Sequence, residues 1–217
     1  MRDMIETATS PYPYESHRHA PRRFLWLLIG WSIAVLVCFG VLIQYSYAPG
    51  NPGEPLDQWP TATALDRSRD RATLLMFVHP HCPCSRASLE ELGRLLARAG
   101  GLAETRVVFV RPGRFPSGWE ETDLWSAAVA MPAVRVSVDV DGVEARRFGV
   151  ATSGSTLLYD GSGNLLFRGG ITGARGHAGD NAGKSAVLAG IRTGRPDLDQ
   201  TSVFGCSLFD QTHECAK

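Results

Sequence analysis

The fold is decided by residues 74–99, which read LLMFVHPHCPCSRASLEELGRLLARA. Residues 74–78 are uniformly apolar, as in a strand that is buried on both faces of a sheet. Between residues 89 and 99, apolar side chains recur at helical spacing among charged ones, which predicts an amphipathic helix. The turn between these two elements carries residues with reactive or metal-binding side chains, and we therefore expect the functional site there. These residues are His79, His81, Cys82 and Cys84.

Pro83 predicts where this helix begins. Proline favours the first helical position, which would make Cys82 the N-cap and Cys84 the second helical residue. The N-terminal end of a helix is positive and stabilises a thiolate. We therefore predict that the pKa of Cys82 lies below the ordinary value of about 8.5 and that Cys82 reacts first, with Cys84 second.

The region before this site contains a candidate transmembrane helix. Residues 24–45 carry no charge and would form about 33 Å of helix, which is enough to cross a bilayer. Residues 1–23 are polar and contain several prolines, which predicts a disordered tail. Residues 46–64 contain further prolines and glycines, which predicts a linker to the folded domain.

The distribution of basic residues predicts the orientation of this helix. Arg18, Arg22 and Arg23 precede it, and the next basic residue is Arg67. By the positive-inside rule, the N-terminal tail is cytoplasmic, the helix lies in the cytoplasmic membrane, and the domain faces the periplasm or the cell exterior. A cleaved signal peptide is the alternative, because residues 46–48 (Ser-Tyr-Ala) resemble a cleavage site.

The rest of the chain predicts one α/β domain over residues 65–192 and a cysteine-containing tail over residues 193–217. Strands alternate with helices and end in a hairpin around residues 160–164 (DGSGN), which is typical of a mixed sheet flanked by helices. The predicted strands are residues 74–78, 105–110, 134–140, 155–159 and 165–168, and the later helices are residues 119–131 and 181–191.

Two segments resemble the active-site segments of the thioredoxin-like superfamily: FVHPHCPCSRA (77–87) and FGVATSGSTLLYDGSGNLLFRGG (148–170). The general likeness is to its membrane-anchored extracytoplasmic branch, the TlpA/ResA-like proteins. The motifs HPHCPCSRAS, GGITGARGHAGDN and VFGC are also similar to RedB-like proteins. The resemblance implies a thioredoxin-like sheet flanked by helices and a thiol–disulfide oxidoreductase that acts on a protein thiol or disulfide through a C-x-C motif, with no required cofactor.

The chain departs from the family pattern at two positions. The family's second cysteine would fall on Ser85, whereas this chain has Cys84 one residue earlier. The family's cis-proline, which faces the cysteines, would fall on Gly154. The resemblance implies that this proline helps to bind extended substrates and keeps metals away from the thiols. We therefore expect Ser85 and Gly154 to support the site in a modified form.

The histidines provide an alternative of a different class. His79, His81, Cys82 and Cys84 place two imidazoles and two thiols within six residues, a donor set that suits copper(I) or zinc. The chain would then be a metal-binding or metal-delivery module. Equally, the histidines could tune the pKa of the thiols without binding metal. A thioredoxin-like binding domain without turnover is the third alternative.

The tail supplies two further cysteines, Cys206 and Cys215, as candidate resolving thiols. They could form a structural disulfide that closes the tail. A disulfide between Cys82 and Cys84 would close a very small ring and be easily reduced. In a third arrangement, Cys82 attacks and Cys206 resolves, with the tail folded over the site. The sequence leaves these arrangements open.

Two classes of partner are not supported by the sequence. The formal net charge is +0, which gives no reason to expect nucleic acid. Residues 178–185 (AGDNAGKS) nearly match a phosphate-binding P-loop, but Ala178 replaces the first glycine, so we expect no nucleotide. The same glycine-rich region either brings Arg175 and His177 near the site or only links the hairpin to the last helix.

Overall fold

The computed structural model describes residues 22–209, and the chain divides into two compact units between Leu42 and Ile43. Helix α1, Arg22–Tyr47, is somewhat longer than the predicted 24–45. It has 26 residues, and its mean hydropathy reaches 2.5, so it is the one helix of the described residues that is long and apolar enough to cross a membrane. Membrane anchors and signal sequences share this property. The tail up to residue 21 lies outside the described residues.

The second unit contains a five-stranded sheet with the order β3-β2-β1-β4-β5. Strand β1 pairs parallel with β2, and β2 pairs parallel with β3, whereas β4 is antiparallel to both β1 and β5. The predicted mixed α/β sheet is therefore confirmed. The strands are β1 (Ala72–Val78), β2 (Ala103–Arg111), β3 (Val134–Val140), β4 (Ser155–Tyr159) and β5 (Leu165–Gly169).

Helices cover both faces of this sheet, which explains the uninterrupted apolar run of β1. Leu74, Met76 and Val78 pack in the core beneath the helices α2 and α5, and Leu75 and Phe77 belong to a second core on the opposite face. All five side chains are fully buried. The helices are α2 (Ser85–Ala99), α3 (Asp123–Val129), α4 (Val143–Arg147) and α5 (Ala182–Thr193).

Two helices differ from the prediction. Helix α3 is shorter than the predicted residues 119–131 because residues 119–121 form turns, one of which is closed by the bond from the Glu121 N–H to the Gly118 carbonyl. Helix α4 was not predicted, since its five residues are too few for a periodic pattern. The predicted start of α5 is confirmed, because the side chain of Asn181 accepts a hydrogen bond from the Lys184 N–H at 2.8 Å.

The predicted start of helix α2 was wrong. The helix begins at Ser85, and Cys84 rather than Cys82 is the N-cap. Two consecutive turns precede it, closed by the bonds from the Cys82 N–H to the His79 carbonyl (3.0 Å) and from the Ser85 N–H to the Cys82 carbonyl (3.1 Å). Cys82 therefore lies in a turn between the strand and the helix.

The segments on either side of the predicted domain pack against it. Residues 48–64 contain no helix or long strand, but Trp59 makes edge contacts with Phe148 and Tyr159 at ring-centroid distances of 5.0 and 5.2 Å. After α5, the chain pairs with β5 at residue 200 and then buries Val203 and Leu208. The packed body thus extends beyond residues 65–192 at both ends.

Candidate thiol site before helix α2

Three cysteine sulfurs meet in front of helix α2. The Sγ atoms of Cys82 and Cys206 lie 3.0 Å apart, and the Cys206 N–H donates to Cys82 Sγ at 3.4 Å. The Cys84 thiol also hydrogen-bonds to Cys82. Cys82 is completely buried, and Cys84 is 8% exposed. The structure therefore brings together Cys82, Cys84 and Cys206, whereas Cys215 lies outside the described residues.

Hydrogen bonding gives Cys82 and Cys84 opposite pKa shifts. The pKa of Cys82 is lowered, chiefly by the hydrogen bonds from Cys206 and Cys84 and also by Ser85, although burial opposes the shift. The pKa of Cys84 is raised, because its thiol donates to Cys82 and because it is buried. Both shifts favour the thiolate on Cys82 and the protonated thiol on Cys84. The sequence predicted a lowered pKa for Cys82 from the positive end of the helix, whereas hydrogen bonds are the largest cause in the structure.

Ser153 connects the thiol site to strand β1. Its hydroxyl oxygen accepts a hydrogen bond from the His79 N–H at 2.7 Å and lies 2.7 Å from the Ser85 hydroxyl oxygen. Ser85 and Ser153 are both buried. Because Ser85 in turn hydrogen-bonds to Cys82, Ser153 fixes the side of the turn that faces the sulfur. The sequence placed Ser153 in the matching segment but gave no signal that singled it out.

Gly154 lies next to the site but cannot be replaced by proline. Its φ angle is +89°, and its N–H donates to the Phe77 carbonyl at 2.8 Å. Proline requires a φ near −65° and has no N–H. A Cβ atom at this position would also lie 2.8 Å from Ser88 Oγ. The described residues contain no cis peptide bond, so this segment differs from the family pattern in backbone conformation as well as in residue type.

The two histidines next to the thiol site make contacts with other residues of the protein. His81 Nε2 donates to the Trp119 carbonyl at 3.2 Å, since a carbonyl only accepts. His79 Nδ1 accepts from the His81 N–H at 3.2 Å, and burial lowers the pKa of His79. Both rings also contact the Trp119 ring. These imidazoles are therefore neighbours of the thiol cluster, and each has one ring nitrogen in a hydrogen bond with the protein.

The predicted metal ligands were His79, His81, Cys82 and Cys84. Within residues 22–209, no group of three or more histidine, cysteine, aspartate or glutamate side chains is arranged to hold a metal ion. The hydrogen bonds of the two imidazoles would compete with ligation by the same nitrogens. Binding of copper or zinc therefore stays a prediction from the sequence.

The C-terminal segment, residues 203–208, runs antiparallel to residues 151–153 over the thiol site. The Ser153 N–H donates to the Cys206 carbonyl and the Leu208 N–H donates to the Ala151 carbonyl, both at 2.8 Å. Thr152 and Ser207 form an antiparallel bridge between these bonds. This pairing sets Cys206 beside Cys82. The arrangement is the one in which the tail folds over the site.

Arg175 ties this segment to the rest of the domain. Its guanidinium donates to the carbonyls of Gly205 (2.7 Å) and Ala48 (3.1 Å) and also interacts with Cys84. The sequence left open whether the glycine-rich loop brings Arg175 and His177 to the site. The structure brings Arg175 there, whereas the His177 side chain is exposed and bonds to the Arg175 carbonyl.

The lysine of the P-loop-like sequence has a structural partner. Lys184 Nζ forms a buried ion pair with Glu91 of helix α2 and also bonds to the Gly179 carbonyl at 3.2 Å. Glu91 in turn accepts from the Gly179 N–H at 2.9 Å. Both side chains are almost completely buried, so this lysine joins α5 to α2.

Among known proteins, the chain is similar to solved structures only. No family model and no curated protein matches the chain. It is similar to an uncharacterized conserved protein from Geobacillus kaustophilus, with a TM-score of 0.56, 21% identity, and coverage of 76% of this chain and 94% of that one. It is also similar to a hypothetical protein from Sinorhizobium meliloti, with a TM-score of 0.54, 17% identity, and coverage of 77% and 97%. At these identities the likeness concerns the fold alone.

A third solved structure is a secreted Mycobacterium tuberculosis disulfide oxidoreductase homologous to E. coli DsbE. It gives a TM-score of 0.34 and 20% identity over 44% of this chain and 66% of that one, which is too weak to support an argument. The mixed sheet flanked by helices, the terminal hairpin of β4 and β5, and the cysteines at the turn after β1 agree with the fold that the resemblance implies. The chain therefore has a thioredoxin-like fold.

Proposed function

We propose that this protein is a thiol–disulfide oxidoreductase whose nucleophile is Cys82. The observation that carries the proposal is the convergence of hydrogen-bond donors on Cys82 Sγ, from Cys206, Cys84 and Ser85. A thiolate, not a thiol, attacks a disulfide. A site that stabilises one sulfur as a thiolate therefore favours thiol–disulfide exchange. The reaction requires no cofactor.

Cys206 is the better candidate than Cys84 for the second thiol. The gap of 3.0 Å between the Cys82 and Cys206 sulfurs is only about 1 Å longer than a disulfide bond. Cys84 belongs to the same turn as Cys82, and a disulfide between them would be strained. The raised pKa of Cys84 suits a role as hydrogen-bond donor to the Cys82 thiolate. The proposal thus gives Cys84 a supporting role and Cys206 the resolving role.

The proposed cycle balances in thiols and disulfides. The Cys82 thiolate attacks a partner disulfide, which breaks the partner's S–S bond, releases one partner thiolate and forms a mixed disulfide. Cys206 loses its proton and attacks Cys82 Sγ, which releases the second partner thiolate and forms the Cys82–Cys206 disulfide. The partner gains two electrons, and an external dithiol then reduces the protein. In reverse, the same steps oxidise a dithiol partner.

We also propose that helix α1 anchors the domain to the cytoplasmic membrane and that the domain lies outside the cytoplasm. The helix carries no charged residue after its first residues, Arg22 and Arg23. Basic residues at the first end favour a cytoplasmic N-terminus. A disulfide-forming site is suited to an oxidising compartment. This location agrees with the resemblance to TlpA/ResA-like proteins.

The test is exchange between the full-length chain in detergent and a fluorescent peptide disulfide, with dithiothreitol as the electron donor. We expect the Cys82→Ser variant to lose activity to the uncatalysed level. Cys206→Ser should accumulate a mixed disulfide on Cys82, because the second attack is lost. Cys84→Ser should retain turnover at a reduced rate, since it loses a donor to the thiolate.

The matched control is Cys38→Ser, because Cys38 lies in helix α1 and belongs to the first compact unit, whereas the three cysteines of the cluster belong to the second. It should exchange at the rate of the wild-type protein. Full activity of the Cys82→Ser variant would contradict the proposal. A mixed disulfide that accumulates in Cys84→Ser and not in Cys206→Ser would return the resolving role to Cys84.

A further inference from the structure

The nucleophilic sulfur is covered by the protein's own chain. Cys82 has no exposed surface, although an exchange reaction needs a partner sulfur to approach it. Residues 203–208 lie over it, with the Cys206 N–H directed at Cys82 Sγ. The described structure is therefore a closed state of the proposed enzyme.

The covering segment is bound in the way that proteins bind extended peptides. It pairs antiparallel with residues 151–153 through two backbone hydrogen bonds, each 2.8 Å long, and a bridge at Thr152. Its cysteine, whose carbonyl accepts one of those bonds, faces Cys82. Backbone pairing at an exposed edge accepts any extended segment, while side-chain pockets select the sequence. An external peptide with a cysteine at the same place would make the same bonds.

We infer that residues 203–208 are an internal competitor for the substrate site, which binds an extended peptide that carries a cysteine in a disulfide. This inference rests on the proposed exchange at Cys82. The segment must leave residues 151–153 before a partner binds there. When it returns, it brings Cys206 back to Cys82, so one movement controls both access and resolution.

The contacts of the segment allow this movement. Val203 and Leu208 are its buried apolar side chains, and backbone bonds and the bond from Arg175 to the Gly205 carbonyl also hold it in place. A cavity of about 480 Å³ lies beside it, lined in part by Arg175 and Cys206. Segments held by few buried apolar groups open locally without unfolding the domain.

Gly205 provides a way to open the segment without touching a cysteine. A Cβ atom at Gly205 would lie 2.0 Å from the Ser153 carbonyl oxygen, so alanine cannot fit while the segment is paired. Gly173 is the matched control, because its Cβ would meet only Asn181 at 4.0 Å. Neither glycine has a positive φ angle, so both substitutions test space rather than backbone strain.

The first experiment measures alkylation of Cys82 in the reduced full-length chain, followed by mass spectrometry of the peptide that contains it. We expect Gly205→Ala to raise the rate by about tenfold or more, because the covered state is disfavoured. Gly173→Ala should react like the wild-type protein. Leu208→Ala, which removes a buried anchor, should also raise the rate and does not depend on Gly205→Ala folding correctly.

The second experiment uses a synthetic peptide with the sequence of residues 201–209, TSVFGCSLF. Offered as a mixed disulfide, it should react with Cys82 about tenfold faster in Gly205→Ala than in the wild-type protein, because the internal competitor is displaced. The same peptide with alanine in place of its glycine should react more slowly with both proteins.

Wild-type rates in both Gly205→Ala and Leu208→Ala would overturn the inference, even if exchange through Cys82 is intact. Faster alkylation with no preference for the glycine-containing peptide would also overturn the inference. The site would then not recognise a peptide through backbone pairing with residues 151–153. If Cys82→Ser keeps full exchange activity, the proposed function fails by a separate measurement.

Discussion

The turn at residues 82–85 and the segment at residues 203–208 each bring a cysteine to the same place, but they are held in different ways. The turn is continuous with β1 and α2, and the side chains beneath it are fully buried. The C-terminal segment has no regular element of its own and depends on backbone bonds, Arg175 and two buried side chains. In the proposed enzyme, the turn would set the reactivity of Cys82, whereas the segment would control which sulfur reaches it.

The largest expected difference between the two regions is in stability. Leu92→Ala in helix α2 should lower the free energy of unfolding by about 2–5 kcal/mol, because it leaves a cavity in the core. Leu208→Ala should cost less, because the segment can leave its site while the rest stays folded. Chemical denaturation of the full-length chain measures both. Equal losses would mean that the segment is part of the cooperative core.

The junction between the two regions is Ser153. Ser153→Ala should cost about 1–3 kcal/mol, since the buried His79 N–H and Ser85 hydroxyl lose their partner. Ser137→Ala is the control, because the Ser137 hydroxyl has no hydrogen-bond partner within residues 22–209. It should leave stability nearly unchanged. If both variants lose the same free energy, the hydroxyl of Ser153 does not stabilise the turn through His79 and Ser85.

The two cysteines of the turn should differ in the pH dependence of their alkylation. Since the pKa of Cys82 is lowered, its alkylation rate should begin to fall at a lower pH than that of a free thiol, whose pKa is about 8.5. The pKa of Cys84 is raised, so its rate should fall about tenfold per pH unit from about pH 9 to about pH 6. Peptide mapping after brief alkylation separates them. Parallel pH profiles would show that the hydrogen bonds do not discriminate between the sulfurs.

The smallest expected effect concerns His79. Burial lowers its pKa in the folded protein, so the unfolded chain takes up the proton first as the pH falls below about 6.5. The contribution of neutral His79 to the free energy of unfolding is therefore complete above about pH 6.5. Below that pH it is lost by at most about 1.4 kcal/mol per pH unit. His79→Gln should flatten the pH dependence of the melting temperature between about pH 6.5 and 5. An unchanged slope would mean that another group causes it.

Local sequence patterns were sufficient for the sheet but not for the covered site. Strands β3 and β4 have the predicted bounds, because alternation and apolar runs report burial directly. The start of α2 was misplaced because a proline that suits a first helical position also suits a turn. The docking of Cys206 onto Cys82 depends on Gly205 and on backbone bonds between distant segments, which leave no periodic signal.

The interpretation of single residues shows the same limit. Gly154 marks a real departure from the family pattern, but only its φ angle shows that proline is excluded there. Arg175 stood out only as one basic residue in a glycine-rich loop, and its contacts with Gly205 and Ala48 come from three separate stretches of chain. Contacts between residues so far apart in the sequence are determined by tertiary packing, and no local sequence pattern indicates them.

The buried pair of Glu91 and Lys184 has a consequence for how this chain can vary. Removing one partner of a buried ion pair typically costs about 3–5 kcal/mol, whereas replacing both by apolar residues of similar size is often neutral. Lys184 also bonds to the Gly179 carbonyl, and Glu91 to the Gly179 N–H. Single replacements would therefore be selected against, and the two positions are expected to change together in related sequences. The lysine of the P-loop-like sequence is in this way explained by the packing of α5 on α2 rather than by phosphate binding.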